Sequence, residues 1–145
     1  MKNILVSIDF DNLTTTLIDH ALRLADKRSS MIWLMHVAAP DPDFVGYAPG
    51  PQYVRDNRAE KLKEEMAKLT EQANRIEKMG YQSDGVLIQG ATAKTIIEES
   101  EKFNIDLIIV GRQHHNFLYN ILFGSTPDKV IKRSKIPILV IPEDS

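Results

Sequence analysis

Residues 107–126 read Leu107-Ile108-Ile109-Val110-Gly111-Arg112-Gln113-His114-His115-Asn116-Phe117-Leu118-Tyr119-Asn120-Ile121-Leu122-Phe123-Gly124-Ser125-Thr126. Four aliphatic residues in a row, with no polar alternate, describe a strand covered on both faces, the condition of strands in a parallel sheet. Gly111 permits a sharp exit from that strand. Gly124-Ser125-Thr126 then puts a glycine, two hydroxyls and unpaired backbone N–H groups at a helix start, where the positive end of the helix dipole favours an anion. A plain helix cap at Ser125 accounts for the same residues, and spacing alone favours that reading.

Strands of the same kind recur along the chain at Ile4 to Ile8, Ile32 to Val37, Val86 to Ile88 and Ile138 to Ile141. Helical patterns separate them. Leu17, Ile18, Ala21, Leu22, Leu24 and Ala25 form one apolar face behind the possible caps Thr14 and Thr15. Ala59, Leu62, Met66, Leu69, Ala73 and Ile76 form a second, ending at Gly80. A third helix is expected from Thr92 to Lys102, and a fourth from Ser125, with Pro127 in its first turn, to near Ser134. Strands alternating with helices imply right-handed crossovers and a doubly wound α/β sandwich. The stretch from Ala38 to Tyr53, crowded with proline and glycine, reads as a long loop leaving the carboxyl end of the second strand.

The chain has 145 residues, and no internal repeat or linker divides it, so a single domain over residues 1–145 is expected. The absence of cysteine removes thiol catalysis, thiolate metal sites and disulfides. Eighteen Lys+Arg against 20 Asp+Glu give a formal charge of −2, which argues against a protein built to bind nucleic acid. The apolar runs fall far short of the roughly 20 residues needed to cross a bilayer. Nothing in Met1-Lys2-Asn3-Ile4-Leu5-Val6-Ser7 resembles a signal peptide, so a cytoplasmic protein without membrane contact is expected.

In a doubly wound sheet, ligands bind at the carboxyl ends of strands, where the strand order reverses. Asp9 and Asp11, His36 and Val37, Gln89 and Gly90, and the residues from Gly111 onward stand at such ends. Gly85 to Gly90 has the glycine spacing of a P-loop, but Ala91-Thr92 replaces its lysine and hydroxyl, and no dinucleotide fingerprint exists. His114-His115 lacks spaced partners for a metal, and no nucleophile elbow or catalytic triad is present, so neither a metal site nor a catalytic residue is assigned. His20, His36, Trp33 and Met35 read as structural residues. Lys129, Lys132, Arg133 and Lys135 read as a solvated helix face.

The glycine-rich segment resembles the nucleotide signature of the universal stress protein family: Gly, two residues, Gly, nine residues, Gly, then Ser or Thr. Gly111, Gly124 and Ser125 match in type and spacing, while His114 stands at the second glycine. The resemblance extends over Ile4-Leu5-Val6-Ser7-Ile8-Asp9, Met35-His36-Val37, Gly90-Ala91 and Ile136-Pro137-Ile138-Leu139-Val140-Ile141, and so spans the whole chain. It implies a five-stranded parallel sheet in the order 3-2-1-4-5 with helices on both faces, a Rossmann-like or flavodoxin-like sandwich. It also implies a bound adenine nucleotide, ATP or AMP, with any Mg²⁺ held mainly by the phosphates. On this resemblance Asp9 accepts hydrogen bonds from ribose or adenine, and Ser7 and the Val37 backbone border the base. Gly111, Gln113, His114, Gly124, Ser125 and Thr126 then hold ribose and phosphates. Asp11 stands where many members have serine.

A homodimeric stress sensor or regulator is thus expected, paired through Ile138, Leu139, Val140 and Ile141, with at most slow ATP hydrolysis. A nucleotide-free dimeric interaction module is the alternative. A phosphorylation-switch receiver domain is disfavoured, because Gln89-Gly90 and Pro142-Glu143 stand where it needs an aspartate and a lysine.

Overall fold

Aliphatic strands joined by amphipathic helices bury both faces only by stacking edge to edge beneath those helices. The computed structural model describes residues 2–38, 52–89, 93–112 and 135–142. Along the chain run β1 (Asn3–Ser7), α1 (Thr14–Leu24), β2 (Met31–Ala38), α2 (Gln52–Lys78), β3 (Gln82–Gln89), α3 (Ala93–Lys102), β4 (Leu107–Arg112) and β5 (Ile138–Pro142). The five strands form one sheet, all parallel, in the order β3-β2-β1-β4-β5.

Leu17, Ile18 and Ala21 of α1 and Leu69, Ala73 and Ile76 of α2 pack on one face of the sheet, against Ile4, Val6, Ile32, Leu34, Leu107 and Ile109. The opposite face carries Leu5, Met35, Val37, Ile108 and Val110, packed with Ile105 and Phe103 beyond α3. This division follows from the order reversal. Right-handed crossovers moving outward from β1 through β2 to β3 keep α1 and α2 on one side, and the return to β4 puts α3 on the other. Full burial of an aliphatic side chain such as Ile109, wholly shielded from solvent, contributes about 1.5–3 kcal/mol.

The central strands are buried almost end to end, as their uninterrupted apolar runs predict. β3 departs from expectation. It spans Gln82–Gln89 rather than Val86 to Ile88, paired with β2 from Met31↔Gln82 to Ala38↔Gln89, and its Gln82, Asp84 and Gln89 are exposed. An edge strand tolerates polar residues, so hydrophobicity alone marked only its apolar half. The P-loop spacing there is incidental. Gly85 pairs with Leu34 inside β3, and a Cβ on it would lie 3.0 Å from Leu69 Cβ, so glycine lets α2 press against the strand.

Of the expected loop from Ala38 to Tyr53, Ala38 ends β2, while Gln52 and Tyr53 open α2. Nothing between Pro51 and Ala59 breaks a helix, so α2 starts as soon as the prolines end. The remainder of that loop, and the expected helix from Ser125 to Ser134, lie outside the described residues. α2 closes as predicted, with Gly80 at φ +96° and the Tyr81 N–H donating to the Ile76 carbonyl. Asn104, at φ +55°, plays the same part after α3, its amide bonded to the Glu101 carbonyl.

Candidate functional site at the carboxyl ends of the central strands

The order reversal lies between β1 and β4. Their register, Ile4↔Leu107 to Val6↔Ile109, carries Ser7 at the end of β1 to the level of Val110, and β4 continues two residues further to Arg112. The two strands therefore open a crevice at the place where doubly wound sheets bind ligands.

The rim of this crevice is the turn from Asp9 to Leu13. Phe10 adopts φ +59°, a left-handed conformation that costs a non-glycine residue about 1–3 kcal/mol and needs the surroundings to hold it. Those surroundings are visible. The Phe10 ring lies 4.7 Å from the His36 ring, and Lys68 Nζ stands 5.5 Å from its centroid. Asp11 Oδ1 then accepts the Leu13 N–H at 2.9 Å, and the Asp11 carbonyl accepts the Thr14 N–H at 3.3 Å. Thr14 and Thr15, expected as caps, are not: Leu13 precedes the helix, and the Thr14 side chain is buried. Asp11 starts the first turn instead, because an aspartate two residues upstream reaches an amide that the helix leaves unpaired. Its carboxylate is thus engaged by α1.

Gly111 is not a sharp exit, since β4 continues through it to Arg112, with Gly111 paired to Ile141. Its reason is contact. A Cβ at Gly111 would overlap Leu13 Cδ2 and lie 3.6 Å from Leu17 Cδ1. The glycine lets the start of α1 settle onto β4, which pulls the Asp9–Leu13 turn over the strand ends.

Behind the turn sits His36, near the end of β2 and buried. Its Nδ1 lies 2.8 Å from the Ile8 carbonyl oxygen and 3.7 Å from Asp9 Oδ1. Its Nε2 lies 3.3 Å from Glu65 Oε2 of α2. The Asp9 and Glu65 side chains retain only 12% and 14% of their exposure. The imidazole is thus clamped between two carboxylates from different elements. Among the described residues no three His, Asp or Glu side chains are arranged to hold a metal. The opposite ring nitrogens here point at separate partners.

Of the residues expected to bind a ligand, Ser7 closes β1 with its side chain buried, Asp9 follows it, Val37 lies buried in β2, and Gly111 lies in β4. Gln113, His114, Gly124, Ser125 and Thr126 lie outside the described residues. Glu65 is the residue that sequence reasoning missed. Positions 65 and 66 both fit the spacing of the buried stripe, and hydrophobicity favours methionine, yet Met66 is 36% exposed and Glu65 faces inward. His36, one register step beyond Met35 on a buried strand, was the available signal that an acid must come from somewhere.

A family model described as the universal stress protein family matches residues 1–142. Universal stress protein MJ0531 of Methanocaldococcus jannaschii is 28% identical over 97% of this chain and 81% of its own length. The solved structure of MJ0577 superposes with a TM-score of 0.73 at 25% identity, covering 99% of this chain and 97% of that one. A structure of a universal stress protein family protein from Arabidopsis thaliana with AMP bound superposes with a TM-score of 0.64. It is 16% identical and covers 100% of this chain and 94% of the other.

Proposed function

This chain belongs to the universal stress protein family, and from that membership we propose that it binds an adenine nucleotide, ATP or AMP, and acts as a homodimeric stress-response sensor or regulator in the cytoplasm. The observation that carries this reading is the adjacency of the β1 and β4 ends, with Asp9 on one side of the reversal and Gly111 on the other. An AMP-bound neighbour of the same fold supports it.

In this reading the Asp9 carboxylate accepts from ribose hydroxyls or the adenine amine, since an ionised carboxylate only accepts. Ser7 and the Val37 backbone border the base. Gly111, Gln113, His114, Gly124, Ser125 and Thr126 hold ribose and phosphates through backbone amides and hydroxyls, which donate. With Asp11 engaged at the start of α1, a Mg²⁺ ion, where present, rests mainly on the phosphates. The formal charge of −2 gives no broad positive field, so an anion would be drawn by these local donors alone.

The two sheet edges supply the motive for dimerisation. β3 exposes Gln82, Asp84 and Gln89, polar groups that discourage pairing, whereas β5 offers Ile138, Leu139 and Val140, each only half-buried. Pairing β5 with its copy covers that edge. No described helix is long and apolar enough to cross a membrane.

The test is to denature the purified protein, identify any released nucleotide by chromatography, and titrate ATP, ADP and AMP with and without Mg²⁺. Release of an adenine nucleotide, or saturable binding of one, is expected. A second reading, a nucleotide-free dimeric interaction module, is favoured by His114 in place of the motif glycine. A preparation that carries no nucleotide and gives no saturable titration selects that reading instead.

A further inference from the structure

His36 donates from Nδ1 to the Ile8 carbonyl, because a carbonyl oxygen only accepts. In a neutral ring this leaves a lone pair on Nε2, and 3.3 Å away lies Glu65 Oε2, also an acceptor when ionised. Glu65 Oε2 is screened from solvent, and no described residue donates a hydrogen bond to it. Two lone pairs facing each other out of contact with water repel, whereas one proton on Nε2 turns the same contact into a charge-assisted pair.

That proton has a second effect. Asp9 Oδ1 lies 3.7 Å from Nδ1, so an imidazolium attracts carboxylates on both sides. Around the ring, the described residues supply the following groups. From the β1 end come Asp9 and the Phe10 ring, and from α2 come Glu65 and Lys68, the latter over Phe10. The neighbouring position of β3 in register is the apolar Leu87.

We propose that His36 is a positioning residue that carries a proton shared with Glu65, and that this imidazolium holds the Asp9 carboxylate at the rim of the crevice. Helix α2 is thereby coupled to the ligand-facing turn through one proton. Loss of that proton removes the ring's attraction for both carboxylates, and the turn loses that one tie to α2. The effect on nucleotide affinity rests on the nucleotide reading above; the protonation state of the ring does not.

The experiment uses the full chain labelled with ¹⁵N-histidine, its His36 ring signals assigned by their loss in His36→Gln. Ring-nitrogen shifts are followed from about pH 5.5 to about pH 8.5, the span in which imidazoles titrate. In the wild type both nitrogens should be protonated at the low end, with Nε2 losing its proton as pH rises. In Glu65→Gln the side-chain amide donates to Nε2 without any added proton, so the ring should stay neutral with hydrogen on Nδ1 alone. A wild-type Nε2 that is unprotonated throughout overturns the proposal, even if Glu65→Gln fails to fold. An Nε2 that titrates identically in both proteins overturns it too.

AMP titration at the two pH extremes reads the coupling. Wild-type affinity should be about fivefold weaker at the high end relative to Glu65→Gln, the titration of the phosphate being common to both and cancelling in the ratio. Equal ratios overturn the coupling while leaving the nucleotide reading intact. If no AMP binds to either protein, the nucleotide reading fails and the ring nitrogens alone decide the proposal.

Discussion

The end of the Leu13 side chain, in the residue before α1, stands where a Cβ on Gly111 of β4 would lie, so a side chain there must displace the leucine tip. A glycine that the nucleotide signature assigns to ligand contact thus also has a packing role. Gly111→Ala should lower unfolding free energy by about 1–3 kcal/mol through overpacking. Leu13→Ala alone should cost about 2–5 kcal/mol as a cavity, and the double variant should be clearly less destabilised than the sum. Urea denaturation of the four proteins checks this, and strict additivity would show that the two residues do not collide.

Asp11 serves α1 through its side-chain oxygen, which accepts the Leu13 N–H. Asp11→Ala should therefore destabilise the chain by about 1 kcal/mol, whereas Asp11→Asn, which keeps an acceptor, should change stability by only a few tenths. Thermal or urea unfolding separates the two. Equal losses would mean that the negative charge, not the hydrogen bond, is what matters.

Val140 stands half-buried on the β5 edge, paired on one side with Val110. If this edge joins two copies, Val140→Glu puts two desolvated like charges across the two-fold axis. The protein should then sediment as a monomer at concentrations where the wild type is a dimer, with unchanged far-ultraviolet circular dichroism. A variant that remains dimeric rules out the β5 interface.

His114 stands where the nucleotide signature has a glycine. If its imidazole fills the approach to a terminal phosphate, His114→Gly should bind ATP about tenfold tighter, near 1.4 kcal/mol, with AMP little affected. Calorimetric titration of both nucleotides decides. A weaker ATP complex would make the histidine a phosphate donor instead.

Much of the architecture was readable because burial on both faces leaves a plain mark: Leu5 and Val6, Leu34 and Met35, and Ile108 to Val110 are uninterrupted apolar runs and are all buried. β3 was half-legible, since an edge strand can carry Gln82 and Asp84 without penalty. The α1 start was misjudged because hydroxyl residues and an upstream aspartate are equally good cap signals, and only backbone geometry shows which amide each one reaches. Gly85 was correctly set aside as a P-loop element, but its contact with Leu69 Cβ is not a pattern that any spacing reveals.

By itself, the sequence determined the parallel doubly wound class, the alternation of strands and helices, and the placement of Asp9 and Gly111 near the carboxyl ends of their strands. These are properties of local periodicity and of residue types within a few positions of one another. Only the tertiary structure decided that Glu65 rather than Met66 turns inward and that its partner is His36, on another element and 29 positions away in the chain. Which of two adjacent helical positions faces a sheet depends on a rotation of about 100° about the helix axis, set by all the packing contacts together. A proton held between two elements is a property of that packing and has no local signature.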